Sequence, residues 1–127
     1  MSTPPLRRVK TYTATSGYVY QYYFVGQRQA HLPEKPNDEA ATEFIFDVTR
    51  DRHAMFAFSV YLAASSVADW ASRHGRSLGE PERYAAAKMR LLRGFDELEA
   101  ADLRQQTRQL TIGPELLEEL LAELGVA

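Results

Sequence analysis

The chain has 127 residues, of which 45% are hydrophobic and 25% charged, and its formal net charge is -2; this composition is typical of one globular domain with its own core. Cysteine is absent, which excludes disulfide frameworks, thiolate metal sites and cysteine nucleophiles. No apolar segment resembles a signal peptide or approaches the roughly 20 residues of a membrane span, so we expect a cytoplasmic protein without membrane attachment.

Two β-hairpins are predicted in the first half of the chain. Residues 1–8 are polar and contain two prolines, which predicts a flexible arm ahead of a domain over residues 9–127. Residues 9–14 are rich in β-branched side chains and precede a Thr-Ser-Gly turn sequence, and a second strand follows from Tyr18 to about Arg28, with Gly26 as a bulge or end point. A proline-containing loop separates this hairpin from strands over residues 43–49 and 54–62.

Three helices are predicted after Leu62, where the apolar period changes from two to about three and a half. Ser66, with Asp69 three residues on, is the expected cap of a helix over residues 67–74, which Gly75 ends. A longer helix begins between Ser77 and Pro81 and extends past Leu98. Residues 111–114 break the helical pattern before a last, leucine-rich helix that ends near Leu124.

Strands followed by helices predict an α+β domain. We expect a four-stranded antiparallel sheet, built from two hairpins over residues 9–62, with three helices over residues 66–124 packed on one face. The strand order is not readable from the sequence.

Side chains alternate across a strand, so each predicted strand divides into two faces. One face is almost wholly apolar and is expected to lie under the helices; it comprises Tyr18, Tyr20, Tyr22, Phe24, Phe44, Phe46, Val48, Phe56, Phe58, Val60 and Leu62. The other face mixes polar, aromatic and aliphatic groups; it comprises Val19, Gln21, Tyr23, Val25, Ile45, Asp47, Thr49, Met55, Ala57, Ser59 and Tyr61.

The mixed face predicts an interaction surface, because an antiparallel sheet covered on one side usually has a polar second side. We expect a homo-oligomer, with a dimer favoured, or association with another protein, through a surface that includes Tyr23, Ile45, Asp47 and Tyr61. The alternative partner is single-stranded nucleic acid, with bases stacked on Tyr23 and Tyr61 and phosphates held at the hairpin tip by Arg50, Arg52 and His53.

Catalytic and cofactor motifs are not evident. Asp47, Ser59 and His53 contain the groups of a hydrolase, and this is a second alternative, but the sequence has no Gly-x-Ser-x-Gly elbow. Glycine-rich nucleotide loops are absent, and His31, His53 and His74 do not have the spacing of a metal motif. The sequence therefore predicts a non-catalytic module without cofactor or metal.

Overall fold

A computed structural model describes residues 8–33, 39–51, 55–97 and 108–126. The arm predicted over residues 1–8 lies outside these ranges except for Arg8. The α+β class is confirmed. The strands are β1 (Lys10–Thr13), β2 (Val19–His31), β3 (Ala40–Arg50), β4 (Met55–Ala63) and β5 (Gln109–Ile112), and the helices are α1 (Ala64–His74), α2 (Glu80–Glu97) and α3 (Pro114–Glu123).

The sheet has five strands in the order β1-β2-β3-β4-β5, so the prediction of four strands is corrected. The first three pairings are antiparallel, as predicted, whereas β5 lies parallel to β4. The segment that was expected only to break a helix, residues 111–114, supplies the second half of this last strand, Thr111 and Ile112. Its four residues are too few to reveal an alternating pattern, and it is recognisable only from its pairing, which places Leu110 opposite Val60 and Ile112 opposite Leu62.

The predicted division of the sheet into two faces is confirmed for the face that the helices cover, here called the inner face. Its aromatic side chains pack with Trp70 of α1, with Leu91 and Phe95 of α2 and with the leucines of α3 in one core. Phe95 stacks on Tyr20 with ring centroids 4.2 Å apart. Burying one such ring contributes about 2 kcal/mol, so packing alone accounts for the aromatic side chains on this face.

Among the helix ends that the structure describes, the start of α1 differs from the prediction. The predicted extension of α2 past Leu98 lies outside the described residues. Helix α1 begins at Ala64, so Ser66 lies inside the helix, where its buried hydroxyl donates a hydrogen bond to the Ile112 carbonyl oxygen at 3.2 Å. Its expected role as a cap was wrong, and it connects α1 to β5 instead. Gly75 ends the helix in the left-handed conformation, as predicted, with φ of 71°.

Strand β2 contains a bulge at the position where Gly26 indicated one. Phe24 pairs with Phe46 and Gly26 pairs with Ile45, so Val25 is an extra residue without a partner of its own. A bulge of this kind shifts the alternation of all later residues by one position. Beyond it, β2 and β3 continue as far as His31 and Ala40, further than the sequence predicted.

Candidate functional site on the outer sheet face

The face of the sheet opposite the helices, here called the outer face, carries exposed apolar side chains. Met55 is 55% exposed, Val25 40% and Val19 37%. Val9, which precedes β1, is 54% exposed and lines the same shallow groove as Tyr23 and Met55. Exposed apolar groups gathered on one face indicate an interaction site more strongly than the same groups scattered singly.

Tyr23, on β2, is held in place on this face by its neighbours. It pairs across the sheet with Asp47, and its hydroxyl donates a hydrogen bond to the Asp47 carboxylate at 2.9 Å. The hydroxyl also lies 3.9 Å from the sulfur of Met55. These side chains line a groove of about 130 Å³, so the ring is held in one orientation beside an apolar depression.

A buried carboxylate, that of Glu43, lies further along the same face. Glu43 is only 4% exposed and accepts three hydrogen bonds. Arg28 Nε donates to Oε1 at 2.8 Å, while the hydroxyls of Ser59 and Tyr61 donate to Oε2 at 2.6 and 3.2 Å. Three donors on one carboxylate satisfy a charge that burial alone would destabilise.

The three donors determine the protonation of Glu43. Burial acts to raise the pKa of its carboxyl, but the hydrogen bonds from Ser59 and Arg28 outweigh burial, and the pKa lies below its ordinary value of 4.5. Burial and the adjacent carboxylate raise the pKa of Tyr61. At neutral pH the group is therefore a carboxylate with neutral hydroxyl donors, which makes it a poor general base and a good structural centre.

The Glu43 cluster was not predicted from the sequence, because its register depends on the bulge. Without the bulge, Arg28 has the same parity as Phe24 and would lie on the inner face. The extra residue places Arg28 opposite Glu43, on the outer face. The alternation of side chains along the strand does place Glu43 on the same face as Ile45 and Asp47. The carboxylate could therefore be assigned to the outer face from the sequence, but its partner Arg28 could not.

Of the predicted site residues, Tyr23 and Asp47 are in direct contact, and Ile45 lies half-buried opposite Ser59. Tyr61 was expected to face water, but it is only 7% exposed. Tyr61 lies beside β5, where it pairs with Thr111. Its hydroxyl donates a hydrogen bond to Glu43. A base could not stack on a ring buried to this extent.

The structure does not place Arg50 with the outer-face tyrosines. Arg50 pairs with Tyr20, whose side chain belongs to the inner face, and its guanidinium lies 4.3 Å from the centre of the Tyr18 ring. The neighbouring Asp51 accepts a hydrogen bond from the Val19 backbone nitrogen and closes the hairpin end. Arg52 and His53 lie outside the described residues.

The two described residues of the hydrolase alternative, Asp47 and Ser59, are not in contact. Asp47 lies opposite Ala57, and Ser59 lies opposite Ile45. The Ser59 hydroxyl donates to Glu43 rather than to Asp47, and His53 lies outside the described residues. Among the residues that are described, no three histidine or acidic side chains lie close enough together to hold a metal ion.

Comparison with protein-family models, with curated proteins and with solved structures finds no match. None of the helices in the described ranges is both long and apolar enough to cross a membrane. The function is therefore inferred from the outer face itself.

Proposed function

We propose that this chain is a non-catalytic binding module that forms a homodimer through the outer faces of two sheets. The observation that carries the proposal is the exposure of Val9, Val19, Val25 and Met55 beside Tyr23 on a face without covering helices among the described elements. Burial of such groups is the main favourable contribution to protein association.

The charge of the outer face supports a second copy as the partner. Its strands carry three charged side chains within the described residues, and all three are engaged: Arg28 with Glu43, and Asp47 with Tyr23. Interface centres are depleted of charged residues and enriched in tyrosine and methionine. Because a twofold interface brings the same surface from each copy together, a face with little unpaired charge is suited to self-association.

The area of the sheet is sufficient for a stable dimer. With strands about 4.8 Å apart and about 3.3 Å per residue, the five strands cover about 650 Å² on one face. Two copies would bury about 1,300 Å² in total, which lies within the roughly 1,200–2,000 Å² of specific interfaces. Sheets packed face to face in this way lie about 10 Å apart.

Sedimentation equilibrium and native mass spectrometry test this proposal. We expect the wild-type chain to be a dimer with a dissociation constant of about 1 µM or tighter. Met55→Asp places a charge in the centre of the apolar surface and should weaken the dimer at least tenfold, about 1.4 kcal/mol.

Leu124→Asp is the matched control, because Leu124 is 38% exposed but follows α3, away from the outer face. This variant should remain a dimer. A wild-type chain that stays monomeric well above that concentration, or a Met55→Asp variant that dimerises as the wild type does, would contradict the proposal. Co-purified nucleic acid that is released by salt would favour the nucleic-acid alternative instead.

A further inference from the structure

A second feature is a pocket with several cationic groups beside the start of β1, and Tyr23 lines both this pocket and the outer-face groove. The pocket has a volume of about 290 Å³ and lies where the start of β1 meets the first half of α2. Arg8, Lys10, Tyr22 and Tyr84 are among its lining residues. Lys88 adjoins it, because its ammonium group lies close to that of Lys10.

The two lysines are brought together by the fold and not by sequence proximity. Lys10 pairs with Tyr22, a buried inner-face residue, and therefore points towards the helices. Lys88 lies one turn after Tyr84 on α2 and so shares its side of the helix. Contact with Lys10, together with partial burial, holds the pKa of Lys88 below its ordinary value, as expected for two like charges in close contact.

None of these cations is paired within the part of the chain that the structure describes. Three arginines of α2 and the preceding loop contrast with them, since Arg76, Arg90 and Arg93 each contact a glutamate. Neither Lys10 nor Lys88 has such a partner in the described ranges of the chain. Like charges in contact reduce stability unless an anion lies between them.

Two tyrosine hydroxyls add neutral donors to the same pocket. Burial, and then the neighbouring Tyr84 hydroxyl, raise the pKa of Tyr22, so its hydroxyl keeps its proton at neutral pH. Among the described residues, neither Tyr22 nor Tyr84 has a hydrogen-bond partner for its hydroxyl. The pocket therefore combines cationic and hydroxyl donors, with no carboxylate among its described lining residues.

We infer that this pocket binds a phosphate group carried by a small molecule, with Arg8, Lys10 and Lys88 neutralising its charge. Arginine and lysine are the side chains that most often hold phosphate, as a planar fork and as a point charge respectively. The Tyr22 and Tyr84 hydroxyls can donate to the remaining oxygens. Phe24, which packs against Tyr84 at a centroid distance of 4.9 Å, supplies an apolar wall for the carrier.

Isothermal titration calorimetry at low ionic strength tests the site, with inorganic phosphate and phenyl phosphate as probes and chloride at equal ionic strength as the blank. Lys10→Gln combined with Lys88→Gln should weaken phosphate binding at least tenfold, since it removes two charge-assisted contacts. Comparison of the affinities for the two probes tells whether the site prefers free phosphate or phosphate attached to an organic group. Binding to either probe that depends on the lysines supports the site.

Thermal unfolding separates loss of the site from loss of the fold. The double variant should be at least as stable as the wild type without ligand, because the repulsion between the lysines is gone. Phosphate at ten times its wild-type dissociation constant should raise the wild-type Tm by about 5 °C and that of the double variant by about 1.5 °C or less.

Arg73→Gln is the control, since it removes one cation that pairs with Asp69 on α1, away from the pocket; it should respond to phosphate as the wild type does. The inference would be overturned if the wild type bound neither probe, or if the double variant bound phosphate with unchanged affinity.

Discussion

Glu43 illustrates how single residues of the outer face are held. Its carboxylate is removed from water and stabilised by hydrogen bonds from Arg28, Ser59 and Tyr61, which come from the strands on either side of β3. Arg28 itself remains 68% exposed, so its ion pair is screened by solvent and contributes little on its own. The two hydroxyl donors, which are closer to the interior, are therefore expected to provide most of the stabilisation.

Glu43→Gln is predicted to lower the free energy of unfolding at pH 7 by about 2 kcal/mol, because the amide replaces a charged acceptor that holds three donors. The folded-state pKa of Glu43 is lowered, so its stabilisation is fully present above about pH 4.5 and is lost as the pH falls through the folded pKa. The difference between wild type and variant should therefore shrink between pH 5 and pH 3, as measured by urea unfolding.

The exposed Glu119, which pairs with Arg93 and is itself 59% exposed, provides the control. Glu119→Gln should change the stability by less than about 0.5 kcal/mol at each pH. A Glu43→Gln difference that is equally large at pH 3 and pH 7 would contradict the role assigned to the carboxylate.

For single residues, the sequence predicted which side chains share a face of the sheet but not which of them are in contact. Alternation was sufficient to place Tyr23 and Asp47 together on the outer face. Their contact depends on the register between β2 and β3, which the sequence does not specify. Tyr61 was misjudged because β5, which packs beside it, was not recognised.

At the scale of elements, the bulge in β2 determines the composition of the outer face. Val25 is the extra residue, and the pairs on either side of it are Phe24 with Phe46 and Gly26 with Ile45. From this point on, residues of even number lie on the outer face, where Arg28 meets Glu43. The sequence indicated that Gly26 marks either a bulge or the end of the strand. Because β2 continues to His31, Gly26 belongs to a bulge.

Deletion of Val25 is predicted to be tolerated. Removing an unpaired residue leaves each neighbouring pair in place, so Arg28 stays opposite Glu43 and the strand becomes regular. We expect a loss of about 1 kcal/mol or less, measured by urea unfolding at one protein concentration because association adds to stability. The Arg28 Nε–H resonance should keep its hydrogen-bonded chemical shift.

Deletion of Gln21, in the regular part of the same strand, is the matched comparison. It would turn the buried Tyr22 and the packed Phe24 towards the outer face, at a cost of about 3 kcal/mol or more. Equal stability of the two deletion variants would show that Val25 is not the residue that sets the register.

The element that the sequence missed, β5, differs physically from those it predicted. The antiparallel strands lie next to each other in the chain and are joined by hairpins, so local turn sequences identify them. β5 pairs with β4 only after two helices have intervened, and it has four residues. Its pairing is therefore a property of the tertiary fold, as is the contact between its Ile112 carbonyl and Ser66.

At the scale of the whole molecule, the sheet has two unlike faces. The inner face and the three helices enclose one continuous core, and this division was predictable from alternation alone. The outer face retains exposed valine and methionine side chains beside hydrogen-bonded polar groups. The central claim is that a second copy of the chain covers this face. The cationic pocket beside α2 is a separate proposal, although it shares Tyr23 with the outer-face groove.

Solvent exposure of methyl groups in solution tests the central claim most directly. A soluble paramagnetic agent broadens methyl resonances that it can reach, and a single copy exposes the side chains of Met55 by 55% and Leu124 by 38%. If two outer faces are packed together, the Met55 methyl should be protected while the Leu124 methyls are strongly broadened. Broadening of Met55 at least as strong as that of Leu124, at concentrations where the dimer is expected, would contradict the account.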